Sequence, residues 1–266
     1  MLRRSLIPRL LGRRIVEVEV SNPALREKVD GARLAAAAAG RRIVGLGRRA
    51  KYLLVDLEGD HSLVVHLGMS GRLTVVAGGA PREKHEHVAF HLDDGARLRF
   101  RDPRRFGLVL ALPTAGLLAD RRFAGLGPEP LAGGLTGETL SRAAGRRRGA
   151  VKSFLLDGRV VAGVGNIYAC EALHRAGIHP RRSVARIAAR RWTRLADAVR
   201  ATLEAAIAQG GTTLNDFTDG AGASGYFQVS LAVYDRAGEP CPRCGKPVRR
   251  IVQTGRSTFY CGGCQR

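Results

Sequence analysis

Four cysteines fall in two close pairs near the end of the chain, Cys241-Pro-Arg-Cys244 and Cys261-Gly-Gly-Cys264, with sixteen residues between the pairs. Thiolates at this spacing, on either side of a hairpin-sized spacer, meet tetrahedrally at one zinc ion, and four protein ligands leave no open position for chemistry. One Zn2+ held by Cys241, Cys244, Cys261 and Cys264 is therefore expected to be structural, because a segment this short has too little core to fold without it. The spacer carries Arg249, Arg250 and Arg256, read either as a solvated basic face or as cations presented on a metal-stiffened ribbon. Cys170, the fifth cysteine, lies in a helical pattern and reads as a small buried residue rather than a nucleophile.

Five other groups carry side chains with chemical potential. They are Arg48-Arg49-Ala50-Lys51-Tyr52, His66-Leu67-Gly68-Met69-Ser70-Gly71, Lys84-His85-Glu86-His87, Asp102-Pro103-Arg104-Arg105-Phe106-Gly107 and Gly163-Val164-Gly165-Asn166-Ile167-Tyr168. Each has a plainer reading when taken singly: Lys51 as a solvated edge-strand lysine, His85 and His87 as a surface pair, Met69 and Phe106 as core. Composition sharpens one of them. Only five of the 44 basic residues are lysine, so a lysine inside a run of arginines points to chemistry a guanidinium cannot do, namely giving up a proton.

Those groups must be held by something, and the hydrophobic pattern says what. Up to Pro113 the chain is written in short runs rich in β-formers: Ile15 to Val20, Ile43 to Leu46, Tyr52 to Leu57, Leu63 to Leu67, Leu73 to Val76, Val88 to Leu92, Arg97 to Phe100 and Leu108 to Leu112. Turn signals such as Glu58-Gly59-Asp60 and Asp93-Asp94-Gly95 separate them, which predicts antiparallel strands in a sandwich or barrel. A helix is expected at Pro23 to Ala38. Beyond Pro113 the period becomes helical, over Thr136 to Ala144, Val151 to Leu156, Asn166 to Ala176 and Ile187 to Gln209. In the last of these Trp192, Leu195, Val199, Leu203 and Ala206 form a stripe that reads as core packing. Gly210 to Gly225 reads as a long loop of a length that is usually functional or disordered. The fold class expected is thus α+β, with an antiparallel β-sandwich at 1–113, a helical domain at 114–233 and a zinc hairpin at 234–266.

A formal net charge of +21 over 266 residues points to a polyanionic partner, most often nucleic acid. No stretch approaches the roughly eighteen apolar residues of a membrane span, and Pro8 and Arg9 interrupt the start, so it lacks the apolar core of a secretory signal. Five cysteines, four of them in one metal-type cluster near the end of the chain, suit a reducing cytoplasm.

The order and wording of these motifs resemble the formamidopyrimidine-DNA glycosylase (Fpg/Nei) family of bacterial base-excision repair enzymes, from about Arg3 to Arg266. The resemblance implies a β-sandwich flanked by helices, a helix-two-turn-helix module, a zinc-finger hairpin, and double-stranded DNA with an oxidised base or an abasic site as partner, bound by a monomer. It implies removal of oxidised purines, 8-oxoguanine and formamidopyrimidine, followed by strand cleavage at the abasic site. Lys51 matches the family's catalytic lysine, and Arg256 its zinc-finger arginine, which binds the lesion's phosphate and assists elimination. His85, Arg104 and Arg147 fall where the family holds DNA; Lys152 and Asn166 fall at phosphate-binding positions. Met69, Arg104 and Phe106 look like the three-residue wedge that fills the gap left by a flipped nucleotide, where an aromatic and an arginine offset the stacking lost on extrusion. The Gly225-Tyr226-Phe227-Gln228 segment resembles the cover over a flipped 8-oxoguanine in the purine-specific branch. Two departures stand out. The family opens, once its initiator Met is removed, with Pro-Glu-Leu-Pro-Glu-Val-Glu, whose proline amine attacks the sugar and whose first Glu acts as an acid; Met1-Leu2-Arg3-Arg4 aligns just after that stretch. Either the start is placed late, which the intact downstream motifs favour, or the chain is a non-catalytic damaged-DNA-binding protein. The second departure is Tyr234-Asp235-Arg236, where the family has glycine in the middle; it reads as a turn.

Overall fold

The computed structural model describes residues 2–210 and 231–266. They divide into two compact units, one running up to Ala124 and the other comprising Gly125–Gln209 with the segment from Leu231 to Arg266. The Gly210 to Gly225 loop, Gly210 apart, and the Gly225-Tyr226-Phe227-Gln228 segment lie outside the described residues.

In the first unit every β-rich run becomes a strand: β1 (Ile15–Val20), β2 (Ile43–Arg49), β3 (Tyr52–Leu57), β4 (His61–His66), β5 (Arg72–Val76), β6 (Glu86–Leu92), β7 (Arg97–Arg101) and β8 (Leu108–Pro113). They pair antiparallel in two four-stranded sheets, ordered β1-β6-β7-β5 and β2-β3-β4-β8. Period-two alternation turns Ile15, Phe90, Leu98 and Phe100 of one sheet and Leu53, Val55, Leu63, Val65 and Val109 of the other into one shared core. Of the two architectures open to the sequence, this is the sandwich. Phe90 and Phe100 are wholly buried, and each contributes on the order of 1.5–3 kcal/mol by leaving water.

Two helices depart from the sequence reading. The helix expected from Pro23 begins only at Gly31: α2 spans Gly31–Ala38 because Asp30 is its N-cap, accepting a hydrogen bond from the Arg33 amide at 3.0 Å. Upstream, Asn22 and Pro23 close turns on the amides of Ala24, Leu25 and Val29 instead. A helix that the pattern did not announce, α1 (Leu2–Leu10), opens the described chain and buries Leu6 and Leu10, one turn apart, despite Pro8 inside it.

The second unit packs α3 (Gly137–Ala144), α4 (Val151–Leu156), α5 (Asn166–Ala176) and α6 (Ala189–Ala208) around Leu173, Trp192, Leu195 and Val199. Thr136 and Thr139 form a capping box at the start of α3. The stripe on α6 is core, with Leu203 partly buried at its edge. The chain ends in an antiparallel hairpin of β9 (Val248–Gln253) and β10 (Arg256–Cys261). Asp235 has φ +60°, the left-handed region that favours glycine and that Asp tolerates better than most residues, so the departure at Tyr234-Asp235-Arg236 is a turn with the glycine's backbone kept.

Candidate nucleic-acid interface

In the first unit two loops meet. One follows β4 and runs from Leu67 to Gly71; the other joins β7 to β8 and runs from Asp102 to Gly107. They approach so closely at Gly68 (φ +66°) that a Cβ there would lie 2.6 Å from the Phe106 carbonyl carbon, and only glycine fits. The Asp102 carboxylate, wholly buried, ties them together: it accepts from Ser70 Oγ at 2.6 Å and from the Gly107 amide at 2.7 Å. Ser70 Oγ in turn accepts from the Arg104 amide at 3.1 Å. His87, also buried, places Nε2 2.9 Å from the Asp102 carbonyl oxygen, and the Asp102 amide donates to the His85 carbonyl at 3.0 Å.

This buried polar joint holds apolar side chains out in solvent. Met69 is 53% exposed and Phe106 47% exposed, and the Arg104 guanidinium lies 4.9 Å from the centre of the Phe106 ring, a cation–π pair. Met69, Arg104 and Phe106 are thus brought together, not buried as core. His85 sits at the base of the same structure with φ +69°. Partial burial and the neighbouring Lys84 and Arg101 hold its imidazole below the usual histidine range.

Lys51 occupies the tight turn of the β2–β3 hairpin, after Ala50 at φ +52°, and is exposed. Its neighbour Tyr52 pairs in register with His66, ring centres 4.9 Å apart, and packs edge-on against Phe123. Burial, reinforced by Arg26 and Lys51, pushes His66 down to about 4, so the ring is neutral at pH 7. Its Nδ1 lies 2.9 Å from the Gly68 amide and accepts from it, which puts the proton on Nε2 as a donor. His66 opens the His66-Leu67-Gly68-Met69-Ser70-Gly71 motif, whose sequence alone assigns it no role. The signal available was its place at the end of a strand whose partner begins beside Lys51.

In the second unit a different set converges on the hairpin. Lys152 is almost completely buried and its Nζ donates to Thr258 Oγ1 at 2.7 Å and the Ser257 carbonyl at 3.4 Å. Burial, with Arg256 nearby, holds its amine below the usual lysine value. Asn166, at the glycine-preceded start of α5, donates from Nδ2 to the same Ser257 carbonyl at 2.9 Å. Its Oδ1 is buried with no partner among the described residues. Arg256, next to this anchored carbonyl and after the left-handed Thr254 and Gly255, is exposed at the hairpin tip. Arg147 is exposed, 3.4 Å from Asp157 and over the Phe154 ring at 5.7 Å. As placed, Lys152 and Asn166 grip the hairpin and position Arg256.

The four cysteine sulfurs all lie within 4.8 Å of one another, with Cys241 to Cys264 at 3.8 Å and Cys244 to Cys261 at 3.4 Å. The edge of a tetrahedron of sulfurs about 2.3 Å from zinc is about 3.8 Å, so the donor set fits one zinc ion. Burial and the neighbouring sulfurs push the Cys264 thiol up to about 12. His174 Nε2 stands 3.3 Å from Cys241 Sγ, placed to orient that ligand. Cys170 is buried and its thiol is pushed up by burial, so it is core.

A β-sandwich that holds an exposed aromatic–arginine pair on a buried carboxylate, with a helical unit that grips an arginine-tipped zinc ribbon, defines a class of zinc-ribbon proteins built to handle nucleic acid. Residues 1–109 match the formamidopyrimidine-DNA glycosylase N-terminal domain, residues 126–218 the H2TH domain of the same enzymes, and residues 238–266 the zinc finger found in FPG and IleRS. The chain belongs to the formamidopyrimidine-DNA glycosylase family. It is 50% identical over 267 residues to a formamidopyrimidine-DNA glycosylase of Acidithiobacillus ferrooxidans and 51% identical over 264 residues to one of Halorhodospira halophila, in both cases covering 99% of this chain and 96% of the relative. Among solved structures, that of Lactococcus lactis Fpg in complex with DNA containing an abasic site superposes with a TM-score of 0.92 at 32% identity, covering 100% of this chain and 97% of that one. The MutM (Fpg) protein of Thermus thermophilus superposes at 0.89 with 38% identity, covering 99% and 96%.

Proposed function

We propose that this chain is a base-excision repair DNA glycosylase that binds double-stranded DNA at an oxidised purine or an abasic site, excises the base and cleaves the strand. The observation that carries the reading is the Asp102 joint, which holds Met69, Arg104 and Phe106 in water at an entropic and hydrophobic cost that folding alone does not explain. Inserted into a duplex, Phe106 and Met69 replace the stacking lost when a nucleotide is extruded, and Arg104 reaches the orphaned base. Lys51, the Nε2–H of His66, His85, Arg147 and Arg256 supply donors and charge for the phosphates. Lys152 and Asn166 act through the Ser257 carbonyl to fix the height of Arg256, and zinc, when bound by the four cysteines, keeps the ribbon folded. The parts correspond to a sandwich at 1–113, a helix-two-turn-helix domain at 114–233 and a zinc hairpin at 234–266, working as a monomer. No helix among the described residues is long and apolar enough to cross a membrane, and four reduced cysteines suit a reducing cytoplasm.

The chemical step needs an unprotonated amine. Its lone pair attacks the anomeric carbon as the glycosidic C–N bond breaks and an acid protonates the departing base; the new ammonium loses its proton, and the C1′–O4′ bond of the sugar ring then breaks, O4′ taking a proton, to leave an iminium ion from which elimination cleaves the strand. In the family that amine is the proline of the Pro-Glu opening. Lys51 and Arg256 assist at the base-release and elimination stages. The names of the relatives favour catalysis over a purely binding role. The test is borohydride trapping on duplexes carrying 8-oxoguanine. A covalent adduct together with free base supports the reading, and tight binding to abasic DNA with neither product, from a chain that carries the family's opening, refutes it.

A further inference from the structure

Between Glu171 and Asp197 the chain has seven arginines and no acidic residue. Arg175, Arg181, Arg186, Arg190 and Arg194 are exposed, in the last turn of α5, the loop that follows it, the turn before α6 and the first two turns of α6. None of the seven forms an ion pair with an acidic side chain among the described residues. Arg191 is tied to the carbonyl oxygens of Gly177 and Arg266, and burial together with Arg182 and Arg194 lowers its pKa. Arg190 and Arg191 stand in the first turn of α6, which has no acid and no side-chain cap. There the helix dipole opposes positive charge. Folding by itself gives no reason for this arrangement; an acid in either place would make a more stable helix.

The surface is continuous with the interface described above. Ser183 Oγ donates to the Arg148 carbonyl at 2.8 Å, the Val184 amide to the Gly149 carbonyl at 3.0 Å, and the Val151 amide to the Arg182 carbonyl at 2.9 Å. The loop bearing Arg181 and Arg182 is therefore stitched to Arg146-Arg147-Arg148 and to the start of the helix that holds Lys152. We propose that this arginine face is a second contact surface for duplex DNA, which holds the phosphate backbone outside the lesion and lengthens the bound segment beyond the base pairs at the wedge. The inference rests on the DNA-binding reading of the wedge and hairpin. Phosphate backbone is favoured because the face is guanidinium throughout, has no apolar patch, and adjoins groups already directed at phosphates.

The test compares the chain with an Arg190→Gln/Arg194→Gln variant, both positions being exposed and glutamine being a good helix former. Binding to abasic-site duplexes is measured against salt on two lengths, one of about 12 base pairs centred on the lesion and one of about 40, and the variant's slope of log K against log salt on the long duplex is expected to be shallower by about two. On the short duplex the slopes should coincide. An Arg9→Gln/Arg33→Gln variant, which removes the same charge from exposed positions of the first unit, should match the unmodified chain on both. An equal change on the short duplex would assign these arginines to the lesion site and overturn the proposal. So would no change on the long one, or the same change in the control variant. Absence of any preference of the unmodified chain for abasic over undamaged duplex would instead defeat the reading of the wedge.

Discussion

Replacing Asp102 with asparagine tests whether the wedge is held by its buried carboxylate. The substitution keeps size and shape but leaves one acceptor atom where two donors, Ser70 Oγ at 2.6 Å and the Gly107 amide at 2.7 Å, now converge. The backbone amide cannot turn away, so the asparagine oxygen stays on Gly107 and its NH2 faces Ser70 Oγ, whose hydroxyl proton then has no acceptor. A bond to a charged acceptor is worth about 1.5–3 kcal/mol and a neutral one about 1, so one bond lost and one weakened cost about 2–4 kcal/mol. A domain with about 5–15 kcal/mol of stability survives that, which makes the effect local. The sandwich should keep its circular dichroism. The Gly107 and Arg104 amides should exchange hydrogen at least tenfold faster, on the 1.4 kcal/mol-per-decade scale. With 2-aminopurine placed opposite an abasic site, the fluorescence change reporting wedge insertion should shrink, and binding should weaken more on lesion than on undamaged duplex. Unchanged exchange at both amides, or an intact 2-aminopurine response, would show that Asp102 does not hold the wedge.

Three further outcomes are expected. His66 is pushed down to about 4 from an ordinary 6.5, so the unfolded chain binds the extra proton first and stability is lost as pH falls from about 6.5 towards 4, by up to about 3 kcal/mol; urea midpoints measured across that window should flatten in His66→Gln. Chelating the zinc, or Cys244→Ser, should unfold the hairpin and abolish DNA binding while the sandwich strands keep their exchange protection; metal analysis finding no zinc in freshly purified chain would contradict this. Arg256→Gln should make the salt slope of binding shallower by about one, the loss of a single phosphate contact, as read by titration on one abasic duplex at several salt concentrations.

The sandwich was legible because its strands are short runs of β-forming residues set apart by turn signals such as Glu58-Gly59-Asp60 and Asp93-Asp94-Gly95. The zinc cluster was legible because four ligands at two fixed spacings admit few other readings. The start of α2 was not, since Leu25 and Val29 fit a helical period while the local bonds of Asn22, Pro23 and Asp30 decide where the helix begins. α1 was hidden by Pro8, an interior proline tolerated because burial of Leu6 and Leu10 outweighs one missing backbone bond. In the interface the side chains facing solvent carried the recognisable wording. The groups that position them did not: Ser70 and Asp102, thirty-two residues apart, meet only once the two loops are folded together. Likewise Lys152 and Asn166 look like surface anion ligands in sequence, and only their shared approach to the Ser257 carbonyl gives them a part in aiming Arg256.

The central claim is that these residues extrude an oxidised purine and deliver its sugar to an amine. The most direct measurement uses a duplex carrying a single 8-oxoguanine and the chain preceded by Pro-Glu-Leu-Pro-Glu-Val-Glu, its initiator Met removed. Released base is quantified, and borohydride is added to trap the iminium ion. The account predicts free 8-oxoguanine, a cleaved strand and a covalent adduct located at that N-terminal proline, all reduced in Asp102→Asn. Tight binding without base release or adduct, or an adduct located at Lys51, would contradict it.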